Sequence, residues 1–141
     1  PALPLIGAGR TRLQPVYVSD VAEATVRILA DPGTSGRTYE LGGPAVYTLR
    51  ELYKLALHLI GKRRVLVPLP FAVAGFMAHV FEWLPNPRLT TGQVDLLRKD
   101  NVASSTLPGL RELGIEPKAL LDIAPSYLPG ALRRASAQEV L

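Results

Sequence analysis

Two segments of the chain carry apolar residues at the spacing of one helix face. The first ends at Ala30 and follows Asp20, whose spacing to Glu23 resembles that of a capping box. The second follows Thr48, which forms the usual capping-box pair with Glu51. The apolar positions are Val21, Ala22, Thr25, Ile28 and Leu29 in the first segment, and Leu49, Leu52, Tyr53, Ala56, Leu59 and Ile60 in the second. The pattern therefore predicts two amphipathic helices.

Two short β-rich runs flank the first of these helices. Residues 15–18 read PVYV and residues 38–41 read TYEL, so both contain residue types that strands favour. The order strand, helix, strand over residues 14–43 is that of a βαβ unit, in which a right-handed crossover joins two parallel strands. The pattern therefore predicts an α/β fold, with a further strand at residues 65–67.

The second half of the chain contains shorter helical patterns. Thr90 and Gln93 have capping-box spacing before a short apolar repeat. A second helix is predicted at residues 107–113. A third is predicted at residues 117–124, which begin with a proline at the first helical position. The tail at residues 129–141 has little periodicity, and we expect it to be flexible.

The most apolar stretch, residues 68–84, reads PLPFAVAGFMAHVFEWL. It is shorter than the about 20 apolar residues that a membrane span needs. Its aromatic residues fall all round a helix, which is typical of a helix that is buried or covered by another subunit. A helix that lines a substrate pocket and a helix that lies on a membrane surface are the alternatives. His79 lies here without a second histidine at metal-ligand spacing, so the sequence gives little support for a catalytic or metal-binding role.

The composition limits the function classes. Of the 141 residues, 48% are hydrophobic and 20% are charged, which is typical of a globular protein. The absence of cysteine excludes a disulfide, a thiolate nucleophile and a zinc ribbon. The 16 Lys and Arg residues form only small clusters without interleaved aromatic residues, so we expect no nucleic-acid partner. Because the chain begins with Pro1 rather than Met, we interpret it as a carboxyl-terminal piece of a longer protein.

A glycine-rich loop precedes the PVYV run. Gly7 and Gly9 match the first two glycines of the dinucleotide-binding pattern G-x-G-x-x-G, but position 12 is Arg12. A phosphate-binding loop also needs a helix directly after it, whereas the next residues are extended. The sequence therefore favours a flexible loop whose Arg10 and Arg12 are available to an anion.

Residues 14–24, QPVYVSDVAEA, and residues 36–43, GRTYELGG, resemble the carboxyl-terminal half of extended and atypical short-chain dehydrogenase/reductases, which include the NAD-dependent epimerase/dehydratases. Within that family the sequence is most similar to the branch of the NAD(P)H-binding accessory subunit of respiratory complex I. The shared features are the PVYV-x-DVA run and a later T-x-x-E-L helix start. The resemblance extends from about residue 5 to residue 128.

The resemblance implies a fold class and a division into domains. The fold would be α/β, the carboxyl-terminal part of a Rossmann-like fold with a mostly helical substrate or cap subdomain that has short strands. Residues 1–46 would be the tail of the Rossmann-like sheet, its last helix and strand. Residues 47–128 would be the cap subdomain, and residues 129–141 a flexible tail.

The resemblance also implies site residues. Arg12, Gln14 and Tyr17 are expected to contact the substrate, while Asp20 is expected to cap its helix. The family's glycine-rich loop and its Tyr-x-x-x-Lys pair lie upstream, and no tyrosine here has a lysine four residues later. We therefore expect no catalytic, cofactor-binding or metal-binding residue in this chain. NAD or NADP is expected in the full-length protein, and no cofactor is expected for this chain alone.

Two functions stay open at this point. The chain is either the substrate-side part of an NAD(P)-dependent oxidoreductase or epimerase, or part of a non-catalytic nucleotide-binding accessory or assembly subunit of NADH dehydrogenase. The expected partners are the missing upstream Rossmann region, a second copy of the chain, and a respiratory complex or membrane surface. The expected location is the cytoplasm, with peripheral attachment to the inner membrane as the alternative.

Overall fold

The computed structural model describes residues 2–84, 87 and 89–127, so the predicted tail at 129–141 lies outside the described residues. Contacts divide the chain into two compact units. The first unit contains residues 1–13 and 47–101, and the second contains residues 14–46 and 102–141. The helices are α1 (Val18–Ala30), α2 (Leu49–Leu59), α3 (Phe71–Phe81), α4 (Thr91–Leu96) and α5 (Leu120–Tyr127). The strands are β1 (Leu3–Ile6), β2 (Arg12–Leu13), β3 (Tyr47–Thr48) and β4 (Leu66–Leu69).

The first unit contains two small sheets. Strands β1 and β4 run parallel, with Leu3 opposite Leu66. Strands β2 and β3 run antiparallel, with Arg12 opposite Thr48. Both ladders join segments that are distant in sequence, so they hold the first thirteen residues onto the region after residue 46.

Side-chain caps fix the helix starts in the first unit. The Thr48 hydroxyl accepts the Glu51 N–H at 3.2 Å, and the Glu51 carboxylate accepts the Thr48 N–H at 2.7 Å. Thr90 and Gln93 form the same reciprocal pair at the start of α4. Both predicted capping boxes are therefore confirmed, since each satisfies donors that a helix start leaves free.

Small side chains form the core of the first unit. Ala74 and Ala78 of α3 are fully buried, and they pack in one cluster with Val94 of α4 and Ile6 of β1. Alanine at these positions lets neighbouring backbones approach closely. Helix α3 therefore buries a narrow stripe of alanines, and its larger side chains lie outside this stripe.

The second unit is organised by α1. Ala24 is fully buried against Leu110 and Ile115, which belong to the segment after residue 101. Asp20 is buried on the same helix, at 1% exposure. The unit thus depends on contacts between two segments that are about eighty or more residues apart in sequence.

Several predicted elements are wrong. Neither residues 15–18 nor residues 38–41 form a strand, and α1 begins at Val18, so no βαβ unit is present in the described residues. Residues 38–41 lie against a loop instead, where the Glu40 N–H donates to the Pro108 carbonyl at 3.0 Å. The predicted helix at residues 107–113 is a series of bends and turns in the structure.

The α/β fold class is confirmed, since helices accompany a small parallel sheet. The parallel pair is β1 with β4 rather than the predicted pair. The predicted domain ranges 1–46 and 47–128 stay a prediction. The two compact units are defined instead by which residues contact one another.

Candidate functional site

Arg12 lies at the start of β2, in the first unit, and is engaged by Asp100. Its backbone N–H donates to one Asp100 carboxylate oxygen at 2.8 Å, and its Nε donates to the other at 2.8 Å. The Arg12 N–H is the largest cause that lowers the pKa of Asp100 below its usual value, followed by the Arg12 side chain. Both side chains remain largely exposed, at 62% and 42%, so solvent screens this pair.

Gln14 belongs to the second unit, where its amide joins two loops. The amide nitrogen donates to the Gly43 carbonyl at 2.7 Å, and the amide oxygen accepts the Ala103 N–H at 2.9 Å. A Cβ atom on Gly43 would lie 1.8 Å from the Pro15 carbonyl oxygen, so only glycine fits here. The Gln14 amide therefore links residues 38–43 to the loop after residue 101.

Tyr17 is half-buried at the start of α1 and lines a cavity of about 300 Å³ in the second unit. Its ring lies 5.1 Å from the Lys118 ammonium, which is the distance of a cation–π contact. The pKa of Tyr17 is lowered, first by a hydrogen bond from Ser19, then by one from Tyr127, with a smaller contribution from Lys118. The pKa of Tyr127 is raised, because of its hydrogen bond and charge interaction with Tyr17.

Asp20 does not cap α1, because the helix begins two residues before it and Tyr17 occupies the N-cap position. Its buried carboxylate instead accepts the Lys118 backbone N–H at 2.8 Å. The Lys118 ammonium lies 3.7 Å from the other oxygen. The expected capping role is therefore wrong, and Asp20 fixes the backbone that carries Lys118 beside Tyr17.

The glycine-rich loop of the first unit forms a tight left-handed turn. The φ angles of Gly7, Ala8 and Gly9 are 59°, 56° and 66°, a region in which alanine is uncommon. Arg50 supports the turn by donating two hydrogen bonds to the Ala8 carbonyl, at 3.3 and 3.1 Å. The turn borders a cavity of about 580 Å³, and the exposed Arg10 lies at its edge.

One face of α3 is apolar and exposed, and we call it the α3 apolar face. It carries Val73, Phe76 and Val80, and Trp83 follows in the turn after the helix. Phe76 is 72% exposed and Trp83 is 85% exposed. Helix α3 is thus apolar on its buried side and on its outer side, as the sequence indicated for residues 68–84.

The charge of the two units differs in sign. The first unit contains ten Lys and Arg residues and four Asp and Glu residues, whereas the second contains six and eight. The α3 apolar face thus belongs to the cationic unit. Lys62, Arg63 and Arg64 supply part of this charge just before β4.

Neither a metal site nor a membrane span is visible in the part of the chain that the structure describes. Across residues 2–84, 87 and 89–127, no three His, Asp or Glu side chains converge on a point that could hold a metal ion. Within the same residues, no helix combines the length and apolar content that crossing a membrane requires.

The sequence did not reveal the partners of Tyr17. Lys118 and Tyr127 are about a hundred residues away along the chain, and neither belongs to a recognisable motif. The spacing of Asp20 to Glu23 predicts a helix cap, whereas the Asp20 carboxylate accepts a hydrogen bond from the Lys118 backbone N–H. A single sequence carries no signal for such long-range pairs.

Comparison with curated proteins gives clear relatives. Over 136 residues the chain is 40% identical to the Arabidopsis thaliana protein "NADH dehydrogenase [ubiquinone] 1 alpha subcomplex subunit 9, mitochondrial", covering 89% of this chain and 34% of that protein. It is 34% identical over 121 residues to the Mus musculus protein of the same name, covering 84% and 32%. The chain thus spans about a third of the length of these relatives. No protein-family model matches.

Among solved structures, the NADPH-dependent quinone oxidoreductase QOR2 of Escherichia coli, complexed with NADPH, is similar with a TM-score of 0.62 and 25% identity. The match covers 88% of this chain and 44% of that one. Similar folds occur in a triphenylmethane reductase and a nucleoside-diphosphate-sugar epimerase. The chain therefore shares the Rossmann-like fold class of these reductases and epimerases, and it matches less than half of the length of each. Within that class it is a homologue of the alpha subcomplex subunit 9 proteins of NADH dehydrogenase.

Proposed function

We propose that the protein carrying this chain is an NAD(P)-binding accessory subunit of respiratory NADH dehydrogenase, and that this chain is its substrate-side, membrane-facing part. The nucleotide would bind to upstream residues, because the phosphate-binding loop of the class is not among the motifs found here. The names of the curated relatives support the assembly, and NADPH in the solved reductase supports the nucleotide. The proposed location is the surface of the inner mitochondrial membrane.

The observation that carries the membrane-facing part of this proposal is the α3 apolar face on a cationic unit. A helix that is apolar all round is normally buried on every side. In the described residues, the core packs only against the side of α3 that carries Ala74 and Ala78. An anionic membrane surface supplies an apolar layer and a charge opposite to that of the first unit.

The expected membrane affinity combines two contributions. Burying Phe76 contributes about 1.5–3 kcal/mol, as for any large apolar side chain. Each Lys or Arg close to an anionic surface adds about 1 kcal/mol, and salt weakens this part. Neither contribution anchors the protein firmly alone, so attachment should be reversible and dependent on ionic strength.

Co-sedimentation of the whole protein with vesicles of phosphatidylcholine and phosphatidylserine tests the proposal. Phe76→Glu should reduce the bound fraction, with a partition coefficient about tenfold or more lower, because it removes buried apolar area and adds a like charge to the lipid. The control is Ala56→Glu, which adds the same charge at an exposed position of α2 in the same unit. Equal binding of the two variants and the parent would refute membrane docking through α3.

The substrate-contacting residues Arg12, Gln14 and Tyr17 remain part of the proposal. Tyr17 is the best supported of the three, because it borders a mostly apolar cavity and has a cation beside its ring. Asp100 is paired with Arg12, and the Gln14 amide is held by two loops at the edge of another cavity. Substrate binding by the whole protein tests Arg12, since Arg12→Ala should weaken it. Unchanged affinity would remove Arg12 from the site.

A further inference from the structure

We propose that the cavity beside Tyr17 binds a small carboxylate with an apolar tail, such as a medium-chain fatty acid. The Tyr17 hydroxyl and the Lys118 ammonium would hold the carboxylate, and the cavity walls would hold the tail. This inference rests on the proposed substrate-side role of Tyr17 and names the kind of molecule that meets it. Every residue that carries it belongs to the second unit.

The cavity has the size and lining of a site for a small ligand. Its volume of about 300 Å³ is at the lower end of the range for ligand pockets. Apolar side chains form most of the wall, and they come from both segments of the unit: Pro15, Val16, Val18, Ala119, Leu120 and Ile123. Such walls remove the methylenes of a bound tail from water, which stabilises the complex.

Tyr17 supplies a phenol hydroxyl to the residues that line the cavity. A phenol can donate one hydrogen bond and accept others. The pKa of Tyr17 is lowered, first by its interaction with Ser19 and then by that with Tyr127. Tyr17 and Lys118 both line the cavity, so the phenol O–H and the ammonium can donate to one anionic group there.

Lys118 supplies the positive charge at the cavity wall. Its ammonium has three donors, and its distance of 3.7 Å to the Asp20 carboxylate is longer than a good hydrogen bond. Its side chain is 53% exposed, so a ligand can reach it. The backbone N–H of Lys118 holds the other Asp20 oxygen at 2.8 Å, which keeps that carboxylate fixed inside the unit.

Calorimetric titration of the whole protein with sodium octanoate, below its micelle concentration, tests the inference. Octanoate should bind at one site, and 1-octanol, which has the same tail without the charge, should bind at least about tenfold more weakly. Tyr17→Phe and Lys118→Met should each weaken octanoate at least about fivefold, because each removes a donor and keeps most of the apolar surface. Tyr53→Phe and Lys54→Met, the same changes on α2, should leave it unchanged.

Three outcomes would overturn the inference: no binding of octanoate, equal binding of octanol and octanoate, or octanoate binding that neither cavity variant weakens. Each is separable from failure of the proposed function. A protein that binds vesicles through α3 but not octanoate retains its proposed function and loses only this site. A protein that binds octanoate, and loses it in Tyr17→Phe, keeps the site even when vesicles do not bind.

Discussion

Replacing Asp20 with alanine tests whether this carboxylate joins the two segments of the second unit. The side chain is 2% exposed and accepts the Lys118 backbone N–H at 2.8 Å. The Asp20→Ala variant would leave that N–H without its acceptor and would open a small space beside α1.

The magnitude follows from which interaction is lost. A hydrogen bond to a charged acceptor contributes about 1.5–3 kcal/mol, and an N–H left unsatisfied in the interior costs about as much as the lost bond. The ion pair with the Lys118 ammonium adds little, because that side chain is half-exposed and such pairs contribute about 0–1 kcal/mol. We therefore expect Asp20→Ala to lower the free energy of unfolding by about 2–3 kcal/mol, and Lys118→Met by less than about 1 kcal/mol.

Urea unfolding followed by circular dichroism measures these differences. Hydrogen exchange at the Lys118 amide locates them, since this amide should lose protection in Asp20→Ala and keep it in Lys118→Met. The control is Glu116→Ala, which removes an exposed carboxylate paired with Arg111. A loss in Asp20→Ala no larger than in the control, or an unchanged Lys118 amide, would contradict the structural role of Asp20.

Two further predictions concern other positions. Gly43→Ala should destabilise the protein by about 3 kcal/mol or more, because its Cβ would collide with the Pro15 backbone. Gly92→Ala, in open space on α4, should be neutral or stabilise the protein by up to about 1 kcal/mol. Thermal unfolding of both variants measures the difference, and equal effects would contradict the prediction. Arg12 lowers the pKa of Asp100 in the folded protein. The stability that this pair contributes is therefore present above the ordinary pKa of an aspartate, about 4, and is lost as the pH falls through the lowered pKa of Asp100 in the folded protein. Arg12→Ala keeps the backbone N–H and removes only the side-chain contribution, so it should flatten the acid end of the curve of melting temperature against pH in part. An unchanged slope would show that solvent already screens the side-chain pair.

Local chemistry determined which elements the sequence predicted well. The capping boxes at Thr48 and Thr90 involve residues three apart, so their spacing alone identifies them. The α/β fold class is confirmed, although the strands from which it was predicted do not form and the parallel pair is β1 with β4. The strand predictions at residues 15–18 and 38–41 failed because a strand needs a neighbour, and in the described residues their neighbours are a helix start and a loop.

Long-range pairing limited what could be predicted for the candidate site. The sequence identified Tyr17 through a family motif, but the cavity beside it depends on Lys118 and Tyr127 from the other end of the chain. It identified Arg12 as free for an anion, whereas the fold pairs it with Asp100. A periodic pattern reports which face of an element is apolar, and it carries no information on which distant segment meets that face.

The alternating order of the two units has a genetic consequence. Residues 14–46 complete their core with Leu110 and Ile115, so a stop codon between about residues 101 and 110 removes half of one unit and spares the other. The remaining half would expose Ala24 and the apolar side of α1 to proteases and chaperones, while β1, β4 and α3 kept all their partners. Late nonsense alleles should thus yield a shortened protein that is cleaved at residues 14–46 and leaves a surviving piece from residue 47 onward.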